Sequence, residues 1–218
     1  MRDSRAIQTV ACCAILGSVV AIYCWTGGGF GPGIDPTPHE ATGLVMAQQA
    51  LSLLKPGGNL IVITRDTTAF KNPASDIQLA RFQREISKTK ATISSVHGLQ
   101  VDPLRPVEVP AGDFFELLRK TSLGDVIVSF MGPPMLSEAQ RSQLAGPKAA
   151  VVAFCAGALP EQVDLRSLFE AGLLQAAVVS KRTGPPPGPK PSGLRECFDR
   201  SFSLLTASNL AMLANPAQ

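Results

Sequence analysis

Four apolar runs rich in β-branched residues constrain the fold of this 218-residue chain more than any other feature. Runs of this length, bounded by turn residues, are typical of strands buried on both faces of a parallel sheet. They are NLIVITRD (59–66), DVIVSFMGPP (125–134), AAVVAFCAG (149–157) and LLQAAVVSKR (173–182). Two weaker strands are predicted at ATISSVHG (91–98) and SFSLLT (201–206).

Segments with helical spacing separate the predicted strands. Thr37-Pro38-His39-Glu40 has the form of a capping box with proline at the first helical position, which predicts a helix over 38–54. Further helices are predicted over 74–90, 113–121, 137–146, 164–172 and 209–213. Strands that alternate with helices predict an α/β fold with a mainly parallel sheet, a Rossmann-like or flavodoxin-like three-layer sandwich.

The opening of the chain carries no ionisable Asp, Glu, Lys, Arg or His between Ala6 and Ile34. Its apolar part is roughly 20 residues long, which is enough for a helix to cross a bilayer. Tyr23 and Trp25 stand at the far end, where aromatic side chains favour the membrane interface. We therefore predict a membrane contact through residues 6–26, as one N-terminal transmembrane helix.

The basic residues on either side of this segment predict its orientation. Arg2 and Arg5 precede it, and the next basic residue is Lys55. Because positive charge is retained in the cytoplasm, the N-terminus is expected inside a bacterial inner membrane and the rest outside. The predicted organisation is a cytoplasmic stub and transmembrane helix (1–26), a Gly/Pro linker (27–37) and a periplasmic or extracellular α/β domain (38–218).

Two other interpretations of the opening stay open. A cleaved signal peptide would end in small residues, whereas AIYCWTGGG places bulky residues before the glycines. A phosphate-binding loop is the second, since Gly29, Gly31 and Gly33 follow a possible strand. Pro32 removes one of the amides that such a loop would offer, so a flexible linker is favoured.

Composition excludes some functions. The net charge is +3 and the basic residues are scattered, so no nucleic-acid partner is predicted. The two histidines belong to no metal-ligand pattern, and neither a cofactor nor a metal is predicted. Outside the cytoplasm Cys155 and Cys197 could form a disulfide, although a cysteine at a strand end is more often buried.

Ligands of parallel α/β sheets gather at the carboxyl ends of the strands. No nucleophile elbow, Walker loop or zinc-protease helix occurs in the sequence, so no catalytic residue is predicted. The same strand ends would be polar and solvated in any sheet of this kind. The candidate ligand-binding residues at the strand ends are Arg65, Asp66, Thr67, His97, Gly132, Pro133, Cys155 and Lys181.

Two family resemblances follow from longer stretches. LLKPGGNLIVIT (53–64) resembles a late strand of class I S-adenosylmethionine methyltransferases, although that family has several strands upstream of it. The order of GGNLIVITRD, LGDVIVSFMGPP, AAVVAFCAG, AGLLQAAVVSKR and CFDRSFSLLTASNLAML is similar to one lobe of type I periplasmic sugar-binding proteins and their LacI-type relatives. Residues of the tail resemble that family's ending: Phe198, Asp199, Leu204, Leu205, Thr206 and Asn209.

The second resemblance implies a Rossmann-like lobe outside the cytoplasm that captures a small, sugar-like ligand. That family closes two lobes on its ligand and stacks sugars on Trp or Tyr, whereas this chain has length for one lobe, in which Phe70 could substitute. A membrane-anchored, non-catalytic binding or interaction module is therefore expected, with other envelope proteins or a second copy as partners. The alternatives are an envelope enzyme with Asp66 or His97 as acid or base, and a methyltransferase-like domain.

Overall fold

The computed structural model describes Ser18 and residues 34–101, 109–144, 148–157, 159–181, 188 and 191–213. The predicted cytoplasmic stub, transmembrane helix and glycine-rich linker lie almost wholly outside these residues. None of the helices described is both long and apolar enough to span a bilayer. The chain divides into two compact units, Met1–Asp35 and Pro36–Gln218, and the second is described below.

Strands and helices alternate along the second unit. In chain order they are α1 (Pro36–Leu53), β1 (Leu60–Arg65), α2 (Pro73–Ile86), β2 (Ile93–Leu99), α3 (Ala111–Lys120), β3 (Val126–Ser129), α4 (Glu138–Gln143), β4 (Ala150–Cys155), α5 (Leu159–Gln162), α6 (Leu165–Glu170), β5 (Ala176–Ser180), α7 (Leu194–Ser201), β6 (Phe202–Thr206) and a closing 3₁₀ helix (Ala207–Leu213).

The described strands form one sheet in the order β2-β1-β3-β4-β5-β6. The first five are parallel, and β6 pairs with β5 in the antiparallel direction. The order 2-1-3-4-5 is that of flavodoxin-like sheets, in which the chain reverses direction across the sheet between β1 and β3. The expected α/β class and mainly parallel sheet are confirmed, and β6 makes the sheet mixed.

Alternation along the strands divides the core into two clusters, one on each face of the sheet. On the α3/α6 face, Ile63, Ile127 and Val151 pack with Phe114 of α3 and Leu168 of α6. On the α1/α2/α7 face, strand residues pack with helical ones, and the largest of the buried side chains there are Met46, Leu60, Phe82 and Phe198. Burial on both faces explains why the strands are continuously apolar.

Each strand predicted from the sequence occurs in the structure, with its ends shifted by a few residues. Helix α1 begins at Pro36, so Thr37 lies inside the first turn instead of capping it. Helix α2 ends at Ile86, and from Lys88 onward the amides bond three residues back, as from Lys88 N to Glu85 O at 3.2 Å. The four-residue helix α5 was not predicted, and the closing helix is a 3₁₀ helix.

The suggested Cys155–Cys197 disulfide does not form. Both residues are buried thiols, and Cys155 belongs to the α3/α6 face whereas Cys197 belongs to the α1/α2/α7 face. The sheet lies between them, so no rotation of the side chains can join the two sulfurs. Removal of the thiol from water raises the pKa of Cys155 to about 12, which keeps it protonated.

Candidate functional site

A cavity of about 620 Å³ opens at the carboxyl ends of β1, β3, β4 and β5. We call it the sheet-end cleft. Helices α1 and α2 present their N-terminal turns to it, and α5 contributes Leu159 and Gln162 to its lining. Its lining residues are His39, Arg65, Asn72, Ala74, Ser75, Gln78, Phe130, Met131, Phe154, Ala156, Gly157, Leu159, Gln162, Ser180 and Phe202.

Three phenylalanine rings give the cleft an apolar wall. Phe130 follows β3, Phe154 is the penultimate residue of β4, and Phe202 opens β6. Phe130 meets Phe82 edge-on with ring centroids 5.7 Å apart, and Phe154 meets Phe202 in the same way at 5.8 Å. Edge-to-face contacts hold such rings in place, so this wall is formed before any ligand arrives.

Gln78 is the most buried polar side chain of the cleft. It lies one turn into α2, is only 5% exposed, and still lines the cavity. Within the described part of the chain, no side chain or backbone group hydrogen bonds to its amide. Its remaining hydrogen-bonding capacity is directed to whatever fills the cleft.

The turn before Gln78 is rigidly held. Asn72 caps α2, since its Oδ1 accepts a hydrogen bond from Ser75 N at 3.1 Å, and Pro73 occupies the first helical position. This arrangement fixes the N-terminus of a 14-residue helix at the cleft. A helix N-terminus carries a partial positive charge of roughly half a unit.

Arg65, at the end of β1, lies between the cleft and a second cavity of about 560 Å³. Other arginines form ion pairs, as Arg81 does with Glu85 at 2.6 Å. Among the described residues no carboxylate pairs with Arg65. The second cavity is lined by Arg65, Asp66, Ala69, Phe70, Lys71, Gln100 and Val101.

The Asp66 carboxylate is already used by its own loop. Its Oδ1 accepts hydrogen bonds from the Thr68 hydroxyl at 2.7 Å and from the Thr68 N–H at 2.9 Å, which lowers the pKa of Asp66. Thr67 donates its hydroxyl to Asp76 at 2.7 Å and so ties the loop to α2. These residues shape the loop after β1, and a charged Asp66 is a poor proton acceptor.

The other predicted site residues lie apart from the cleft wall. His97 lies inside β2, where its Nε2 is 3.0 Å from the Ser95 hydroxyl. Lys181 is exposed and donates its ammonium to the Asp199 carbonyl. Buried Gly132 and Pro133 form the turn after β3, in which Gly132 adopts φ 104°. Cys155 is fully buried in the core.

The structure thus brings together Arg65, Asp66 and Phe70, around the second cavity. Arg65 alone among the predicted residues also lines the sheet-end cleft, and Phe70, 66% exposed, does not reach it. Sequence reasoning missed the wall of Phe130, Phe154 and Phe202. A signal existed for the first two, because each stands at the carboxyl end of a predicted strand.

Groups that bind metals do not converge within the described residues. No three His, Cys, Asp or Glu side chains there are placed to hold a metal ion. Of the lining residues, only His39 is of a metal-ligating type.

Comparison with known proteins gives a likeness of fold. No protein-family model matches the sequence, and no curated protein is similar to it. A sugar-binding protein of an ABC transporter from Bacillus halodurans is similar over 81% of this chain and 64% of its own, with 12% identity and a TM-score of 0.51. An ABC transporter solute-binding protein from Agrobacterium vitis, with bound D-fucose, is similar over 79% and 59%, with 13% identity and a TM-score of 0.50.

These similarities show the fold. The second unit has a fold similar to one lobe of these binding proteins, as the resemblance in the order of its apolar stretches predicted. This chain spans less than two thirds of the length of either binding protein.

Proposed function

We propose that this chain is a membrane-anchored, extracytoplasmic binding module whose sheet-end cleft takes up a small, sugar-like ligand without transforming it. The observation that carries the proposal is that one cavity combines a preformed aromatic wall with Gln78, a buried residue whose side-chain amide has no hydrogen-bond partner among the described residues. Ligand sites are commonly concave and apolar with a few convergent polar groups. Sugars combine hydroxyl groups with an apolar ring face, which suits such a cavity.

The likeness of fold supports this proposal in a limited way. The Agrobacterium vitis protein holds D-fucose, and ligands of such sheets bind at the carboxyl ends of the strands. The sheet-end cleft of this chain lies at that position. Because the two chains are only 13% identical, we infer the class of ligand from the residues that line the cleft.

The burial, hydrogen bonds and positions of the reactive groups at the strand ends favour a non-catalytic role. The thiol of Cys155 is buried, with its pKa raised to about 12. Asp66 holds the loop through Thr68, and His97 lies in β2 outside both cavities. An enzyme that used Asp66 and His97 as acid and base would need both in one pocket. The structure does not favour that second candidate function.

Ligand binding is tested by filling the cleft. Ala74 lines it from the first turn of α2, and Ala80 is an exposed alanine of the same helix outside the lining. A panel of neutral and acidic monosaccharides is screened by thermal unfolding. A true ligand at about a hundred times its Kd raises the unfolding temperature by about 5–10 °C.

We expect Ala74→Trp to abolish this shift and Ala80→Trp to retain it. Both variants add the same indole to the same helix, so their difference reports on the cleft. A panel without any stabilising sugar, or a shift that survives Ala74→Trp, contradicts the proposal.

The membrane anchor is a separate part of the proposal. It rests on the charge-free opening and the position of Arg2 and Arg5, and we place the domain in an envelope complex with other proteins or a second copy. Full-length protein should stay with membranes after alkaline carbonate extraction, and its lysines should react with an impermeant label from outside the cell. Release by carbonate, or lysines that react only after lysis, would overturn the anchor and its orientation.

A further inference from the structure

We infer that the sheet-end cleft selects an anionic ligand, a sugar-like molecule carrying a carboxylate, and that Arg65 and Gln78 form its anion subsite. This inference rests on the proposed function and narrows the class of ligand. It combines a cation, a buried amide and a helix N-terminus that line the same cavity.

The first observation is the guanidinium of Arg65. Arg65 is half-buried and lines both the cleft and the second cavity, and within the described residues its side chain has neither an ion pair nor a hydrogen-bond partner. A guanidinium matches the two oxygens of a carboxylate, because its N–H groups form a planar fork. A neutral sugar would leave this charge without a counter-charge at the carboxyl end of β1.

The second observation is the amide of Gln78. Gln78 is only 5% exposed and lines the cleft, and its side chain has no hydrogen-bond partner in the described part of the chain. Its NH₂ group has two N–H donors and its carbonyl accepts, so a donor is available to a ligand oxygen. Asn72, another polar residue of the lining, is already engaged in capping α2, since its Oδ1 accepts a hydrogen bond from Ser75 N at 3.1 Å.

The third observation is electrostatic. Helix α2 directs its N-terminal turn at the cleft through Asn72, Ala74 and Ser75, and such a terminus favours negative charge. Asp76 in the same turn offsets part of this field, but it accepts a hydrogen bond from Thr67 and does not line the cleft. The fifteen described lining residues include no Asp or Glu.

The aromatic wall limits the rest of the ligand. Phe130, Phe154 and Phe202 offer ring faces and edges to an apolar surface, which a sugar ring provides on one side. The combination fits a hexuronate better than a neutral hexose. The carboxylate of the sugar would pair with the Arg65 guanidinium, and the sugar ring would contact the aromatic wall.

Sugars that differ only at carbon 6 test the inference. D-fucose, D-galactose and D-galacturonate carry methyl, hydroxymethyl and carboxylate there, and D-glucose with D-glucuronate gives a second stereochemical series. Titration calorimetry on the full-length protein in mild detergent measures each Kd. We expect a uronate to bind about ten- to a hundredfold tighter than its neutral partner, the range of a charge-assisted hydrogen bond.

Two variants that each remove one positive charge distinguish the anion subsite from a general effect of the charge of the domain. Arg65→Gln should remove the preference for the uronate, whereas Lys71→Gln, which removes a cation of the second cavity only, should retain it. Gln78→Leu should weaken uronate binding about ten- to a hundredfold, as expected for one hydrogen bond to a charged acceptor. Circular dichroism confirms that each variant is folded.

Four outcomes overturn the inference. Equal affinity for uronate and neutral sugar, or a preference that survives Arg65→Gln, removes the anion subsite but leaves the proposed function standing, provided that Ala74→Trp blocks the neutral sugar. Tighter binding of galactose 6-phosphate than of galacturonate overturns the carboxylate assignment. Failure of every sugar to bind overturns both this inference and the proposed function.

Discussion

Gly43 of α1 lies directly against the backbone of Gln78 in α2. A Cβ atom at position 43 would overlap the Gln78 carbonyl oxygen and would come within 2.9 Å of Arg81 Cβ and 3.2 Å of Phe82 N. The two helices can approach this closely because residue 43 has no side chain. The contact fixes the segment of α2 that presents Gln78 to the sheet-end cleft, so packing between helices sets the geometry of the cleft.

Substitution of Gly43 by alanine should therefore destabilise the domain. The backbone on the other side cannot rotate away as a side chain would, so the helices must separate, at a cost of about 1–3 kcal/mol. Urea unfolding gives the change in free energy. Sugar affinity should fall as well, since α2 shifts relative to the cleft.

Gly112→Ala is the matched control. Gly112 lies in α3, and a Cβ added there meets nothing within 4 Å. The same methyl group should stabilise this helix by about 0.5–1 kcal/mol, because alanine loses less conformational freedom than glycine. If both variants change stability alike, the close approach of Gly43 to Gln78 is not what the fold depends on.

Glu196 should make stability depend on pH in acid. Its carboxylate accepts hydrogen bonds from the backbone N–H and the hydroxyl of Ser192, both at 2.8 Å, and from Arg200. These donors lower the pKa of Glu196 from 4.5 to about 2. A lowered pKa means that the folded state prefers the charged form, so the contribution is present above pH 4.5 and is lost as the pH falls toward 2.

We expect Glu196→Gln to be less stable than the wild type at neutral pH, with the difference shrinking between pH 4.5 and about 2. Urea midpoints at several pH values measure it. Glu170→Gln, at an exposed acid of α6, serves as the control for loss of a surface charge. A difference that stays constant over this range contradicts the role of Glu196.

Cys155 should be inert in the folded protein. It is fully buried, and desolvation raises the pKa of its thiol to about 12, so the reactive thiolate is scarce at mildly alkaline pH. Iodoacetamide should modify Cys155 only after unfolding in urea, as judged by mass spectrometry of its peptide. Rapid alkylation of the native protein, or a Cys155–Cys197 crosslink under oxidising conditions, would show that the two faces of the sheet are assigned wrongly.

The strands were predictable because their signal is local. A residue such as Ile63 or Val151 is surrounded in sequence by other β-branched and apolar residues, and this pattern needs no distant partner to be recognised. Arg65 was predictable for the same reason, because it stands where an apolar run ends. The helices followed from spacing and turn residues, with errors at their ends.

His97 shows where this reasoning stopped. It was expected at the carboxyl end of the second strand, predicted over 91–98, but β2 continues to Leu99 because its backbone pairs with β1 through Arg65. The end of a strand is set by the length of its neighbour, which local sequence does not contain. His97 therefore lies within β2 instead of at the rim of the sheet.

The amino-acid sequence by itself determined the class of fold, the alternation of strands and helices, and the place of Arg65 at a strand end, since each depends on residues near one another in the chain. Only the tertiary structure decided that Phe130, Phe154 and Phe202 share one wall, that Gln78 faces them, and that Cys155 and Cys197 lie on opposite faces. Strand order and helix crossing bring such distant residues together or apart, and both depend on how whole elements pack.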